Sequence, residues 1–394
     1  MHGSGTDEQA TTGRSASRRI LVVSPWGLRG QYSGPVTLMN RLFGALKDLG
    51  GFEIDVVHRD RGRESDAPWA HRTFALLRTP VGQFSRVDQL RWALRARRFL
   101  RRHAQEYDLV HLQGAYLANV LAVPSKVRGK VVLLPVLEDG DLATGTRFSA
   151  VKVAVYRRVI GESHLGLALS TGIAEALIGL GLPRKRVMLI DNPAGGDRRG
   201  APRRQRDDAP FTVGFVGKIG PNKNPHLVLD AIAALREQGV EAHALFVGPF
   251  ANASFEDSFR SRAGELHLED KVTFTGFTDD VVTQFGEMDV FVLPSRHEGM
   301  PGALAEALTA GLPAVVSDVG QMGDHVRGAH AGFVVRADVS SVLEALLELQ
   351  DKEVRQRFGR NAREYGAKHF TAAGIAATVR DKLDELEEER SHEA

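Results

Sequence analysis

Short apolar runs alternate along this chain with longer segments in which apolar residues recur every three or four positions. The runs are rich in Val, Ile, Leu and Phe, which is typical of parallel strands that are buried on both faces. The segments between them have the period of helices that bury one face. The pattern therefore predicts an α/β protein in which helices cover both faces of parallel sheets.

The apolar runs divide into two sets, one in each half of the chain. In the N-terminal half the predicted strands are Ile20–Val23, Ile54–Val57, Leu109–Leu112, Val131–Leu134, Leu165–Leu169 and Val187–Ile190. In the C-terminal half they are Val213–Val216, Ala244–Val247, Val272–Phe274, Val290–Leu293, Ala314–Val316 and Phe333–Val335. Since helical segments separate the strands in both sets, each half is predicted to be a doubly wound domain.

A segment of glycine, proline and charge without periodicity, residues 196–210, predicts a linker between the halves. Residues 1–18 lack an apolar signal core and are expected to form a disordered leader. We therefore expect an N-terminal domain over 19–195 and a C-terminal domain over 211–370. Residues 371–394 are expected to form a last helix that ends in an acidic tail.

The apolar run Val290–Leu293 is followed by two glutamates, Glu298 and Glu306, eight residues apart. The sequence after the run predicts a loop and then a helix over Pro301–Ala310, since proline suits the first helical turn and Gly311 suits the position after the last. One carboxylate therefore lies on the loop at the carboxyl end of a parallel strand, and the other lies on the helix that leaves it. Open α/β sheets bind ligands at this edge.

The two carboxylates suit a ligand that carries both hydroxyls and phosphates. Ionised carboxylates accept hydrogen bonds from hydroxyls, and the free N–H groups at a helix start favour phosphate. A nucleotide-sugar has both groups. An alternative without a ligand stays open, in which Glu298 caps the helix and Glu306 is a solvated surface residue.

A second strand, Val213–Val216, runs into a glycine loop and then into a helix that begins near Pro225. A strand, a glycine loop and a helix start in this order form a phosphate site. Gly217, Lys218 and Lys223 lie in the loop, so two cations are expected beside the bound phosphates. The alternative is a pair of surface lysines in an ordinary loop.

The order of these segments resembles the retaining glycosyltransferases of family four, from about Arg19 to about Phe370 and most strongly over Val213–Val335. The resemblance implies the GT-B fold, with two Rossmann-like, doubly wound domains that face each other across a cleft. It also implies that the last helix, within residues 371–394, crosses back toward the N-terminal domain. It implies transfer of a hexosyl or N-acetylhexosaminyl group from a nucleoside diphosphate-sugar, with a UDP-sugar favoured, to an acceptor hydroxyl. It also implies a bacterial-type enzyme of glycan, glycolipid or natural-product biosynthesis that requires no cofactor and no metal.

The resemblance also assigns donor-binding roles to individual residues. Glu298 would contact the sugar hydroxyls and Glu306 the ribose hydroxyls. Lys218 and Lys223 would neutralise the departing diphosphate. Lys218 stands where the family usually has Arg. The substitution keeps the positive charge but removes the planar guanidinium that donates two hydrogen bonds to one phosphate. The other donor-binding residues would line the sugar and the diphosphate or lie in a turn beside the base: Gly217, Gly299, Met300, Pro301, Gly276 and Phe277.

The acceptor side is expected in the N-terminal half. Gly34, ahead of a helix, resembles the family's acceptor-side glycine loop, and His111 closes a strand and is expected to point into the cleft, with a structural role as an equal alternative. After Val131–Leu134, where the family often has a histidine beside the donor sugar, this chain has Glu138 and Asp139. Either could stabilise positive charge at the anomeric carbon or orient the acceptor hydroxyl. A metal-binding Asp-x-Asp motif is the discounted alternative, because it would leave the C-terminal residues unexplained.

Composition and charge narrow the class of protein. The absence of cysteine excludes a disulfide framework, a thiolate metal site and a cysteine nucleophile, and it fits a cytoplasmic enzyme. Residues 1–195 carry 28 Lys and Arg against 17 Asp and Glu, a net of +11, and residues 196–394 carry 23 against 32, a net of −9. A basic N-terminal domain favours an anionic or lipid-linked acceptor, or a peripheral contact with the inner face of the membrane. Solvated surface charge is an equal alternative, and nucleic acid is disfavoured because no recognition motif accompanies the charge.

The densest basic segment, Gln89–His103, has a helical pattern with one apolar face and one face of arginines. Trp92, Ala96, Phe99 and Leu100 share the apolar face. The favoured prediction is that this face packs on the N-terminal sheet while the arginines are solvated. Adsorption of the helix to a membrane surface is the alternative.

Two other functions are compatible with the same fold. One is an epimerase-like GT-B enzyme that acts on the nucleotide-sugar itself, which would turn over donor without an acceptor. The other is a catalytically silent protein that binds a nucleotide-sugar, which the missing histidine and the substitution by Lys218 keep open. The sequence favours transfer over both.

Overall fold

The structure is a computed structural model that describes residues 17–28, 34–60, 67–79, 84–136, 142, 150–195 and 210–393. The predicted leader, apart from its last two residues, and the predicted linker, apart from Pro210, lie outside these ranges. Glu138 and Asp139 lie outside them as well. The described residues form two parallel sheets, and helices separate most of the successive strands.

The N-terminal sheet has seven strands among the described residues. They are β1 (Arg18–Ser24), β2 (Phe52–Asp60), β3 (Arg72–Arg78), β4 (Leu109–Gln113), β5 (Val131–Leu134), β6 (Leu165–Ala168) and β7 (Val187–Leu189). Their order is β3-β2-β1-β4-β5-β6-β7, and every pair is parallel. The inner strands β4, β5 and β6 are buried along their whole length, which explains their continuous apolar sequence.

The helices of this domain cover the sheet with amphipathic faces. They are α1 (Gly34–Leu49), α2 (Arg86–His103), α3 (Leu117–Ala122), α4 (Ala150–Ile160) and α5 (Thr171–Gly179). In α1 the buried residues Val36, Met39, Phe43 and Leu46 recur at three- and four-residue spacing, so they form one stripe toward the sheet.

The C-terminal sheet has six strands in the described part of the chain. They are β8 (Phe211–Val216), β9 (Ala242–Val247), β10 (Val272–Gly276), β11 (Val290–Leu293), β12 (Ala314–Ser317) and β13 (Gly332–Val335). Their order is β10-β9-β8-β11-β12-β13, again all parallel. The strand order reverses between β8 and β11, so the loops after these two strands lie beside each other at the edge where such sheets bind ligands.

Eight described helices follow in this half, and the last one returns to the N-terminal domain. They are α6 (His226–Glu237), α7 (Ala253–Glu265), α8 (Val281–Gly286), α9 (Gly302–Ala310), α10 (Met322–Ala329), α11 (Val339–Glu348), α12 (Lys352–His369) and α13 (Ala372–Glu393). Helix α13 packs against α1. Arg18 Nη2 on β1 also donates hydrogen bonds to Asp384 (2.8 Å) and Glu387 (2.6 Å) of α13.

The predicted fold class is confirmed, since both halves are parallel-sheet, Rossmann-like domains. One strand was missed. Strand β3, Arg72–Arg78, lies at the edge of its sheet, and Leu77 is its one buried residue. Its sequence has a short apolar run, Phe74–Leu77, but most of that run is exposed or half-buried because the strand lies at the edge of the sheet.

Helix α2 packs its apolar face inward, as the sequence favoured. Trp92, Ala96 and Leu100 are buried, and Ser85 with Asp88 forms a capping box that fixes the helix start. The sequence did not predict that the opposite face would also expose large apolar side chains. No helix within the described ranges is both long enough and apolar enough to cross a bilayer.

The carboxyl edges of the two sheets face each other. Gly299, in the loop after β11, lies so close to residues that follow β5 and β6 that an added Cβ would be 3.4 Å from Val136 O and 3.5 Å from Leu169 Cβ. Asn192, after β7, donates from Nδ2 to Met300 O at 3.1 Å. The loop after β11 is therefore enclosed between the two domains.

Candidate functional site

The glycine loop after β8 brings a lysine over its own backbone. Gly217 has φ +136°, a conformation that favours glycine. A Cβ at Gly217 would lie 3.1 Å from Cε of Lys223, so the lysine side chain crosses directly above this residue. The loop thus places the Lys223 ammonium at the carboxyl end of β8.

Glu298, in the loop after β11, is held by two donors. Lys223 Nζ donates to its Oε1 at 2.8 Å, and Ser295 Oγ donates to the same oxygen at 2.9 Å. Both members of the ion pair are largely shielded from solvent. A carboxylate offers about four acceptor positions. Glu298 therefore has a fixed orientation and retains acceptor capacity for a ligand hydroxyl.

The two loops are joined through Asn222. Its backbone oxygen accepts from Arg296 N at 2.8 Å, and its Nδ2 donates to His297 O at 2.9 Å. The loop after β12 supports them from the other side, because Gln321 N donates to Gly299 O at 2.9 Å. Three loops that are far apart in sequence thus form one polar platform.

The start of α9 has unpaired backbone donors beside this platform. Pro301 occupies the position before the helix, and no side chain of the described residues caps it. The first intrahelical bonds come from Leu304 and Ala305, which both donate to Pro301 O. The N–H groups of the preceding turn are therefore available to an anion. The alternative in which Glu298 caps this helix is not what the structure shows, since Glu298 is bonded to Lys223 and Ser295.

Lys218 differs from Lys223. Its side chain is exposed, and within the described residues its ammonium has neither a hydrogen bond nor an ion-pair partner. The two predicted cations therefore lie in the same loop, one held by a carboxylate and one directed into solvent. The side chains of Met300 and Pro301 are buried, so any ligand contact from them comes from the backbone.

Glu306, in the second turn of α9, is paired with a cation from the other domain. Arg41 of α1 donates from Nη2 to Glu306 Oε1 and from Nη1 to Pro193 O at 2.8 Å. The two side chains border a cavity of about 330 Å³ between the domains, which is lined by Arg41, Ala194, Gly195, Asp279, Val281, Val282, Phe285, Glu306, Thr309 and Ala310. Glu306 is therefore a wall of an interdomain cavity rather than a solvated surface residue.

The predicted turn beside the base lies at the same edge of the C-terminal sheet. Gly276 ends β10 with φ +65°, and its oxygen accepts from Gly248 N at 2.9 Å. Phe277 follows and is partly exposed. Asp279, two residues further on, lines the cavity with Glu306.

The N-terminal candidates are not assembled in this way. Gly34 begins α1, and a Cβ there would meet no atom within 4 Å. His111 does not point into the cleft as expected. Its side chain is 3 % exposed, its Nε2 lies 3.1 Å from Gln113 Oε1, and its ring packs edge-on against Phe43. Burial lowers the pKa of His111 to about 4, so it is a neutral core residue.

Sequence reasoning missed three contributors to the site. Arg41, Asn222 and Ser295 hold Glu306, the loop after β11 and Glu298 respectively. Ser295 and Asn222 lie within the motif segments and could have been suspected from their position between a strand end and a helix start. Arg41 gave no local signal, because it is 265 residues away from its partner.

Comparison with known proteins gives a consistent result. Residues 200–365 match the family of glycosyl transferases group 1, and residues 33–193 match the glycosyl transferase 4-like domain. The 2-deoxystreptamine glucosyltransferase of Streptomyces kanamyceticus is 30% identical over 287 residues, which are 67% of this chain and 72% of that protein. This chain belongs to the glycosyltransferases of the GT-B fold.

Further relatives of this glycosyltransferase differ in the share of each chain that the match covers. An Escherichia coli protein named UDP-Gal:alpha-D-GlcNAc-diphosphoundecaprenol alpha-1,3-galactosyltransferase is 29% identical over 172 residues, 43% of this chain and 44% of that protein. The match therefore spans less than half of that relative. The crystal structure of Anabaena HepE in complex with UDP and glucose superimposes with a TM-score of 0.71 at 18% identity, over 93% of this chain and 100% of that chain.

Proposed function

We propose that this glycosyltransferase moves a sugar from a nucleoside diphosphate-sugar to an acceptor hydroxyl, with retention at the anomeric carbon, as in family four. The observation that carries the proposal is Glu298, which Lys223 and Ser295 hold beside the uncapped start of α9. A carboxylate for sugar hydroxyls and a helix start for phosphate are the two groups that a nucleotide-sugar needs.

The cations would act on the leaving group. Lys218 and the N–H groups at the start of α9 would contact the diphosphate, and Lys223 would lie between the diphosphate and Glu298. As the bond from the anomeric carbon to the phosphate oxygen breaks, that oxygen takes the electron pair, and fixed positive groups stabilise the charge that develops. The acceptor oxygen would form the new bond to the anomeric carbon, and its proton would pass to the departing diphosphate. These charges would replace a metal ion, so we propose a metal-independent reaction without a cofactor.

The interdomain cavity would hold the nucleoside. Glu306 would accept hydrogen bonds from the ribose hydroxyls, with Arg41 holding its carboxylate in a fixed orientation. Gly276 and Phe277 would lie beside the base. UDP is the favoured nucleotide, which the name of the Escherichia coli relative and the UDP bound to HepE support.

The acceptor would approach from the N-terminal domain near Gly34. An anionic or lipid-linked acceptor suits the excess of basic residues in this half, and the Escherichia coli relative is named for a diphosphoundecaprenol acceptor. Glu138 or Asp139 would take the place of the family's histidine beside the anomeric carbon. Transfer of a hexosyl or N-acetylhexosaminyl group follows from the family resemblance.

The proposal is tested first by the thermal stability of the purified protein with UDP-, GDP-, ADP- and dTDP-sugars, without added metal. A ligand present at about a hundredfold excess over its Kd stabilises the folded state by about 2.7 kcal/mol, which raises the melting temperature. We expect stabilisation by one nucleotide class and its loss in Glu306→Ala. The control is Glu237→Gln, an exposed change on α6 that should keep the full shift.

The same protein is then tested for release of the nucleoside diphosphate with and without acceptor alcohols. Release that depends on the acceptor supports transfer. Turnover of the sugar without an acceptor would show an epimerase-like enzyme. Donor binding without turnover across a broad acceptor panel would show a binding protein, and no stabilisation by any nucleotide-sugar would contradict the proposed site.

A further inference from the structure

The outer face of α2 exposes a row of apolar side chains. Val87, Leu90 and Leu94 are 56%, 58% and 60% exposed. They recur at three- and four-residue spacing, so they share one side of the helix, opposite the buried Trp92 and Ala96. Since the inner face already packs on the domain, this second apolar face is not needed for folding.

Neighbouring helices extend the apolar surface. Helix α2 packs on α3, and α3 packs on α4. Leu121 of α3 and Val151 of α4 are also exposed. Seven large apolar side chains are exposed among the described residues, and five of them lie on these three helices. We call these five the rim surface: Val87, Leu90, Leu94, Leu121 and Val151.

The rim surface lies on the side of the N-terminal domain that faces the cleft. Helix α2 leads from the carboxyl end of β3 to the amino end of β4, so its first half lies at the carboxyl edge of the sheet. Helix α3 begins four residues after β4, and Val151 is in the first turn of α4, which leads to β6. The carboxyl edge is the edge that meets the C-terminal domain, so the rim surface borders the opening of the cleft.

Positive charge accompanies the apolar side chains. Helix α2 carries seven arginines and one acidic residue, Asp88. Two of the arginines are tied to backbone oxygens, Arg95 to Leu76 and Arg97 to Leu121. The exposed remainder includes Arg91, Arg98, Arg101 and Arg102. The outer face of the helix therefore combines leucines in its first half with cations along its length.

We propose that the rim surface docks on an anionic lipid bilayer. Leucine side chains would enter the boundary between head groups and acyl chains, and the arginines of α2 would bind lipid phosphates. Each arginine near an anionic surface strengthens binding about fivefold, which corresponds to about 1 kcal/mol. A second copy of the chain fits this face poorly, because a two-fold contact through α2 would bring arginines against arginines.

Docking in this way would place the opening of the cleft at the membrane. Under the proposed function, this geometry suits an acceptor whose hydroxyl is carried by a lipid, since such an acceptor would reach the cleft without leaving the bilayer. The acceptor part of the inference rests on the proposed transferase activity. The docking part does not, since it depends on the described surface alone.

Sedimentation of the full chain with vesicles tests the docking. The vesicles contain either phosphatidylcholine alone or equal parts of phosphatidylcholine and phosphatidylglycerol. We expect binding to the anionic vesicles only, a loss of about 100-fold in Leu90→Ser/Leu94→Ser, and a similar loss when Arg91, Arg98 and Arg101 are changed to Gln. The matched controls are Leu189→Ser, an exposed leucine away from the rim surface, and Arg360→Gln/Lys368→Gln on α12, which should bind like the parent chain.

A single introduced cysteine gives a site-specific readout, because the chain has none of its own. An environment-sensitive dye at Leu94→Cys should shift its emission to shorter wavelength with anionic vesicles, whereas the dye at Lys368→Cys should not. All rim variants should keep the thermal stabilisation by nucleotide-sugar, so that loss of docking is separated from loss of the donor site.

Several outcomes would overturn the proposal. They include no sedimentation of the parent chain with anionic vesicles, sedimentation of the rim variants equal to that of the parent chain, and a dye shift at position 368 but not at 94. Concentration-dependent dimerisation of the parent chain that Leu90→Ser/Leu94→Ser abolishes would also overturn it, since a second copy would then cover the rim surface.

Discussion

The two domains share a strand order, but they use the same edge differently. In the C-terminal domain, the loops after β8 and β11 bring Lys223, Asn222, Ser295 and Glu298 into one bonded platform. In the N-terminal domain, the equivalent central strands are β1 and β4, and the histidine on β4 is buried against Phe43. The shared topology therefore determines where a site can form, at the carboxyl ends of the central strands. The side chains at these strand ends determine whether charged groups converge there.

The difference has a physical cause. A diphosphate carries concentrated charge, so its site needs fixed donors and cations whose positions are enforced by other bonds. The Lys223–Glu298 pair and the start of α9 are fixed in this way, which is why we propose them for the diphosphate. At the N-terminal edge, by contrast, Gly34 has open space around it and His111 is buried in the core, so neither brings a fixed charge to the cleft.

The largest effect on activity is expected when the carboxylate of the C-terminal platform is removed. Glu298→Ala should lower kcat by about 10²–10³-fold, because the group that orients the sugar is lost. Glu298→Gln should lower kcat nearly as much while keeping the neutral hydrogen bond to Ser295. Both should stay folded, since the change removes one ion pair from a loop and leaves the buried strands of the sheet unchanged. The measurement is the rate of sugar transfer together with the melting temperature.

Glu237→Gln is the control for that experiment, because this glutamate is exposed on α6 and has no role in the platform. Undiminished transfer by Glu298→Ala would remove the basis for assigning the donor sugar to this edge. With that result, neither domain would have a demonstrated catalytic group at the carboxyl edge of its sheet.

A second experiment tests whether Arg41 of the N-terminal domain contributes to donor binding through its bond to Glu306 of the C-terminal domain. Arg41→Ala should raise KM for the donor roughly tenfold with a smaller change in kcat, because a charged hydrogen bond to Glu306 is worth about 1.5–3 kcal/mol. Arg41→Lys should restore part of the affinity. Initial rates over a range of donor concentrations measure the effect, and Arg360→Ala on α12 serves as the matched loss of one arginine.

An unchanged KM in Arg41→Ala would mean that Glu306 needs no partner from the N-terminal domain. A loss confined to kcat would instead assign Arg41 to the chemical step. Either result would contradict the orienting role that we propose for this residue.

The smallest effect is expected on the pH dependence of stability, and it comes from buried histidines of the N-terminal domain. The pKa of buried His111 is lowered to about 4, and burial lowers that of His164 in the same domain to about 4 as well. Below the unfolded pKa of about 6.5, these histidines bind protons in the unfolded chain but stay neutral in the folded chain. Stability therefore falls as the pH drops from 6.5 toward 4. For His111 alone the loss between pH 7 and pH 5 is roughly 2 kcal/mol.

Tryptophan fluorescence during urea unfolding isolates this effect, because the three tryptophans of the chain are Trp26, Trp69 and Trp92, all in the N-terminal domain. His111→Gln should weaken the dependence of the unfolding midpoint on pH and should leave the donor-induced stabilisation intact. A pH dependence identical to that of the parent chain would show that His111 titrates normally and is not the neutral core residue described above.

Much of this protein could be predicted from local sequence. All the described strands except β3, the helix at Gly302–Ala310 and the glycine loop at Gly217 follow from apolar runs, from a proline before the helix and from Gly311 after it. These features depend on residues that are near each other along the chain, where backbone preference and burial act directly. The resemblance to a glycosyltransferase family rested on the same local segments.

The tertiary structure alone decided which residues meet. The pairing of Arg41 with Glu306, the joining of two loops by Asn222 and the burial of His111 each depend on segments that are distant in sequence. The sequence predicted the buried face of α2, but the exposed apolar side chains Val87, Leu90 and Leu94 on its other face became apparent only in the structure. Periodicity determines the elements, but packing between distant elements determines the charge and exposure of each side chain, because both depend on neighbours that the local sequence does not contain.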